Sequence, residues 1–149
     1  MRPVRRYAAV DTDSPMPVRA YTPEGRRAPA YCTSTGKALL AHQPMEVIER
    51  VAAAMEPHTG MTMASRKALL AELEKVRAAG YSMNRGEWND YVRGVAAPVF
   101  GPEGEVVAAL SVTGPSAQVR EDRIGPAVRL AAAGASRAYS TRRWASPKK

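Results

Sequence analysis

The sequence predicts an α+β domain in which helices pack against an antiparallel sheet, and three observations carry that expectation. Two runs of apolar and β-branched residues, 92–100 and 105–113, flank the short turn Gly101-Pro102-Glu103-Gly104, the pattern of a β-hairpin. Upstream lie segments whose apolar residues recur at helical spacing, above all Leu69, Leu70, Leu73 and Val76. Downstream, residues 121–140 read as one further helix, acidic at its start (Glu121, Asp122) and basic at its end (Arg137, Arg142), as the helix dipole favours.

In chain order, residues 4–10 and 18–22 read as short strands, joined by the turn-rich Asp11-Thr12-Asp13-Ser14-Pro15. Ser34 reads as the N-cap of a short helix over residues 35–41. Pro44 suits the first turn of a second helix ending near Met55, with Val47, Ile48 and Val51 on one face. Residues 57–60 break it. Ser65 caps a third helix through Ala79, and Gly80 stands where a left-handed C-terminal residue is wanted. On the wet side of that helix Glu72 is expected to face Lys75, and Glu74 to face Arg77. Residues 81–84 begin a strand, followed by the polar stretch 85–90. Both hairpin runs are nearly continuous in apolar or small residues, as in strands covered on both faces. Gly114-Pro115 is expected to end the sheet. Gly125-Pro126 inside the last helix implies a kink or a later start.

A chain of 149 residues fits one domain and buries a sizeable core. Its single cysteine, Cys32, permits no internal disulfide and fits a reducing compartment. The charged N-terminus has no apolar run behind it, so no signal peptide is read there, and a cytoplasmic protein without membrane contact is expected. The net charge of +8 invites a nucleic-acid reading, yet the excess sits at the two ends, in Arg2, Arg5, Arg6, Arg137, Arg142, Arg143, Lys148 and Lys149. Between them the charges balance, which argues against a nucleic-acid interface on the body of the domain.

Three segments, in order and in register, resemble the effector-binding domain of IclR-family transcription regulators. They are Tyr31-Cys32-Thr33-Ser34-Thr35-Gly36-Lys37-Ala38-Leu39-Leu40-Ala41; Gly80-Tyr81 with Gly86-Glu87; and Gly94-Val95-Ala96-Ala97-Pro98-Val99-Phe100 with Gly104 and the run from Val107 to Pro115. The resemblance spans roughly residues 18–140 and implies a GAF-like fold with a small-molecule pocket on one face of the sheet. It also implies a homodimer or tetramer, no cofactor, and an effector that is a small organic acid or an aromatic compound. The winged helix-turn-helix that usually opens such regulators is absent here, as are the first helix and strand of the effector domain. DNA contact is therefore expected only through a domain missing from this chain, and an open sheet edge is expected.

Ser34, Thr35 and Gly36 are the first site candidates: a helix start offers free N–H groups to a carboxylate, and a glycine lets a ligand approach the backbone. On the residues alone they are better read as a plain N-cap; the resemblance places an effector beside them. Gly36-Lys37 is not a phosphate loop, because Tyr31 stands where that motif needs a glycine. The resemblance adds Glu87, Asn89 and Asp90 from a loop that closes over the pocket, with an exposed loop as the alternative. Trp88 and Tyr91 either cover the ligand or anchor that loop. Ser111 and Thr113 share one strand face, where their hydroxyls hold either an effector or neighbouring backbone. Pro98 matches another pocket position and suggests a strand with one unpaired side.

Cys32 with His42 or His58 makes no catalytic constellation and has no metal-ligand spacing, so no enzyme is expected. The reading is ligand sensing that controls an attached DNA-binding domain. The alternatives are a stand-alone small-molecule-binding module and a GAF-like enzyme using Cys32.

Overall fold

The computed structural model describes residues 27–141. The strands expected over residues 4–10 and 18–22, and the basic ends apart from Arg137, fall outside them. The described chain forms a short 3-10 turn (Ala30–Cys32), α1 (Ser34–Leu40), α2 (Met45–Ala53), α3 (Arg66–Ala79), β1 (Ser82–Arg85), β2 (Val92–Phe100), β3 (Val106–Pro115) and α4 (Glu121–Thr141). The strands pair antiparallel in the order β1-β2-β3, the α+β arrangement expected.

The strongest periodicities yield the elements they should. Leu69, Leu73 and Val76 of α3 are buried, Ser65 accepts from Ala68 N through its hydroxyl at 3.2 Å, and Gly80 ends the helix in the left-handed region at φ 76°. The hairpin forms with Gly104 at φ 79°, and a bulge between Val99 and Phe100 shifts its register.

Local differences have local causes. Thr33, not Ser34, caps α1: its hydroxyl accepts from Gly36 N at 3.1 Å, so the helix starts one residue earlier than expected. Pro44 is the N-cap of α2 and lies just outside it. Pro126 lies inside α4, which begins at Glu121 without a later start. Gly125 before it is required by packing, since a Cβ there would sit 2.6 Å from Cζ of Tyr81.

The sheet lies between two cores. On one side Val95, Ala97 and Val99 of β2 meet Val128 and Ala132 of α4, with Met83 and Val119. Beyond the other side, Tyr31, Cys32, Leu40, Ile48, Leu69, Leu73 and Val76 join the 3-10 turn to α1, α2 and α3. β2 is thus covered on both faces, as its apolar run predicts. β3 is not: among the described residues Leu110 and Val112 on one face, and Ser111 and Thr113 on the other, remain exposed. α4 packs mainly along β2 and leaves the far half of the hairpin bare.

Candidate functional site

Residues directly opposite one another in an antiparallel pair point to the same face, so the register decides which strand residues meet α1. Gly94 pairs with Thr113, Ala96 with Ser111 and Pro98 with Ala109. Across the other edge Asn84 pairs with Gly94 and Ser82 with Ala96. The start of α1 sits on this face: Ser82 Oγ donates to the Ser34 carbonyl at 2.5 Å. A Cβ built on Gly94 would lie 2.7 Å from Ser34 Oγ and 3.0 Å from Thr113 Oγ1. Two hydroxyls, one from the helix and one from β3, therefore converge over a glycine, with Ser111 two residues further along the same strand face.

Of the residues singled out by sequence, Ser34, Pro98, Ser111 and Thr113 share this face. Pro98 is buried, and β1 pairs only as far as Ala96, so among the described residues β2 has one strand neighbour at the proline. Ser111 and Thr113 are exposed, which departs from the buried face expected for them. Thr35 is half-buried in the first turn. Gly36 serves a purpose different from ligand approach: a Cβ there would fall 2.4 Å from both Cα and O of Ala30, so the glycine lets α1 lie against the 3-10 turn. Its N–H is already taken by Thr33, which leaves one fewer donor for an anion.

The loop over residues 86–91 is built from its own contacts. The Asn84 side-chain oxygen accepts from the N–H groups of Gly86 (3.1 Å) and Glu87 (2.8 Å). Thr59 and Thr62 donate their hydroxyls to the carbonyls of Gly86 and Glu87, each at 2.7 Å. Trp88 packs edge-on against His58, which in turn meets the Tyr31 hydroxyl at 2.8 Å. Trp88 thus helps hold the loop while remaining 38% exposed, and Tyr91 is 83% exposed. Asn89 and Asp90 are exposed; the Asn89 side chain accepts from Tyr91 N, and the Asp90 carbonyl accepts from Ser116 Oγ.

Glu87 is buried and its carboxylate faces the protein. Lys37 Nζ donates to both its oxygens, at 2.8 and 3.0 Å, and to Glu72 Oε1 at 2.9 Å. Lys37, absent from the residues singled out by sequence, is fully buried. Glu72 therefore turns inward to Lys37 and to Arg85 (3.7 Å) rather than to Lys75, whereas the expected Glu74–Arg77 pair is present at 2.9 Å. The one available signal was a lysine set in the apolar stretch Lys37-Ala38-Leu39-Leu40. Its partners, 35 and 50 residues away, were not legible.

Burial, followed by the Glu87 charge, pushes the Cys32 thiol up to about 12. At neutral pH it is a protonated core group, not a thiolate. A separate cavity of about 300 Å³, between the 3-10 turn and α2, is lined by apolar side chains with Arg50 and lies away from these hydroxyls. Among the described residues no cluster of His, Cys, Asp and Glu is arranged to hold a metal, and no helix is long and apolar enough to cross a membrane.

This fold and face define the C-terminal domain of a bacterial transcriptional regulator: residues 10–140 match the profile described as "Bacterial transcriptional regulator IclR C-terminal". The chain belongs to the IclR family. It is 36% identical over 109 residues to the HTH-type transcriptional regulator BhcR of Paracoccus denitrificans, covering 72% of this chain and 39% of that relative. It is equally 36% identical over 114 residues to the regulator KdgR of Escherichia coli, covering 75% of this chain and 43% of KdgR. The chain thus spans well under half the length of these relatives. A crystal structure of the PobR inducer-binding domain from Acinetobacter, a double mutant in complex with 3-hydroxybenzoic acid, superposes with a TM-score of 0.68 at 28% identity. The match covers 76% of this chain and 68% of that one.

Proposed function

We propose that this chain is an effector-sensing domain that binds a small organic acid or aromatic compound on the α1 face of its sheet. Binding there governs an attached winged helix-turn-helix. The observation that carries the reading is the convergence of the Ser34 and Thr113 hydroxyls over Gly94, with Ser111 beside them. Hydroxyls at the rim of this face, with Ser111 and Thr113 exposed to solvent, can orient a carboxylate or phenol. The 3-hydroxybenzoic acid held by the PobR domain has this chemistry. Asn89 and Asp90, exposed on the loop over residues 86–91, are the further polar groups of this reading. The mechanism is a population shift: an effector with different affinity for two arrangements of paired subunits moves the equilibrium between them. The domain works as a cytoplasmic homodimer or tetramer, without cofactor and without catalysis, and DNA is contacted by the winged helix-turn-helix alone.

A thermal-shift titration with 3-hydroxybenzoate and pyruvate tests the site. An acid at 100 times its dissociation constant adds about 2.7 kcal/mol, several degrees for a domain of this size. Ser111→Ala, at an exposed position, alters intrinsic stability by no more than about 0.5 kcal/mol, yet is expected to shrink the shift. Gly94→Ala, which pushes a methyl between the two hydroxyls, is expected to abolish it. Equal shifts in wild type and both variants place the binding site elsewhere.

A further inference from the structure

We infer that Lys37 is a positioning residue for the effector face: through its buried ion pairs with Glu87 and Glu72 it fixes where α1, and with it Ser34, stands over Thr113. The inference rests on the proposed effector site and concerns how that site is held together.

α1 has only seven residues, too few for a helix to hold its shape or place unaided. Its apolar contacts, through Ala38, Leu39 and Leu40, bury surface but are non-directional, and they tolerate a slide or a rotation on the sheet. Directional contacts set its register. The Ser82 hydroxyl donates to the Ser34 carbonyl at its start, and Arg77 of α3 donates to the carbonyl of its C-cap Ala41 at 2.9 Å. Between them stands Lys37, whose ammonium reaches three carboxylate oxygens within 3.0 Å, on α3 and on the loop over residues 86–91.

Both anchor points are themselves immobilised. The Glu87 backbone is held by Asn84 and Thr62, and its Oε1 also accepts from Arg85 N at 3.3 Å. Glu72 belongs to α3, whose buried Leu69, Leu73 and Val76 fix it in the helical core. Arg85 meets Glu72 at 3.7 Å and donates to Glu121 of α4 at 2.9 Å, extending the charge chain to the last helix. All three ammonium N–H groups have carboxylate oxygens to donate to, in a setting shielded from water where such bonds are strong. A fully buried lysine paired with a buried and a partly buried carboxylate is no better for stability than a well-packed apolar residue would be. What it supplies is geometric specificity: it ties the first turn of α1 to the loop over residues 86–91.

The test uses Lys37→Met, which keeps length and removes charge, and Lys37→Met/Glu87→Gln, which also neutralises the more buried of its two carboxylate partners and leaves Glu72 to Arg85 at 3.7 Å. The single variant is expected to lose much of its stability. The double variant is expected to fold with a melting temperature near wild type, which makes it the decisive protein. In the ligand-free state, hydrogen–deuterium exchange of the double variant should be tenfold or more faster at the amides of residues 36–41, with protection in α3 and α4 retained. Calorimetry with 3-hydroxybenzoate and pyruvate should show affinity weakened tenfold or more. Unchanged exchange in α1 overturns the positioning role, as does wild-type affinity in the double variant. If wild type binds neither acid, the choice of effector chemistry fails on its own account, and the exchange measurement still decides the role of Lys37.

Discussion

Gly36→Ala separates helix propensity from packing at the start of α1. In an isolated helix the substitution is favourable by about 1 kcal/mol, because glycine loses more backbone freedom on folding. Here the added methyl meets Cα and O of Ala30 at 2.4 Å and Thr33 Oγ1 at 2.6 Å, closer than real Cβ atoms approach any neighbour. Two of the three atoms are backbone, in a turn fixed by the buried Tyr31 and Cys32, so they cannot swing aside as a flexible side chain would. Overpacking of this kind costs about 1–3 kcal/mol, and the upper end applies against backbone. Moving the Thr33 hydroxyl also breaks the cap on Gly36 N, a further loss of about 1 kcal/mol. Set against the propensity gain, the net loss is about 3 kcal/mol. With a urea slope of about 1–3 kcal/mol per molar, the unfolding midpoint drops by at least about 1 M, followed by far-ultraviolet circular dichroism. Gly60→Ala is the control: nothing lies within 4 Å of its added methyl, and its stability should stay within about 0.5 kcal/mol of wild type. A Gly36→Ala protein as stable as wild type would refute the close approach of α1 to the 3-10 turn.

Two further outcomes follow from the buried titratable groups. Cys32, with its thiol raised to about 12 by burial and by Glu87, should resist iodoacetamide and disulfide reagents at pH 7.5 until the protein is unfolded; rapid stoichiometric labelling of native protein would contradict its core placement. His42 is held below its ordinary pKa, first by burial and then by the Arg77 charge, with its ring edge-on to Phe100 at 5.0 Å. Its unfolded form therefore takes up a proton before its folded form does. The linked stability is fully present above the unfolded pKa, near 6.5, and is lost as pH falls from there toward the depressed folded value. His42→Phe should flatten that part of the stability–pH curve measured by urea titration, and an unchanged slope would count against the burial of the ring.

Elements whose signals are local were legible in the sequence. α3 has its cap at Ser65, its apolar stripe and its stop at Gly80 all within one stretch, and the hairpin has two apolar runs around a turn, so short-range forces suffice to specify both. The identity of the face bearing Ser111 and Thr113 was likewise set by strand alternation, and the family by three motifs in register. Tertiary structure decided what depends on residues far apart in sequence. Lys37 reads locally as an ordinary helix charge; only the fold brings Glu72 and Glu87 to it, 35 and 50 residues away, and turns Glu87 from a candidate effector contact into its buried counter-ion. Gly36 reads as room for a ligand until the path of the preceding turn puts Ala30 against it. The exposure of Thr113 depends on where α1 stops covering its face of the sheet, and that of Leu110 and Val112 on where α4 stops covering the other. Propensity and periodicity act over a few residues, whereas close approach, charge pairing and coverage are fixed by distances in space, which only the packed chain sets.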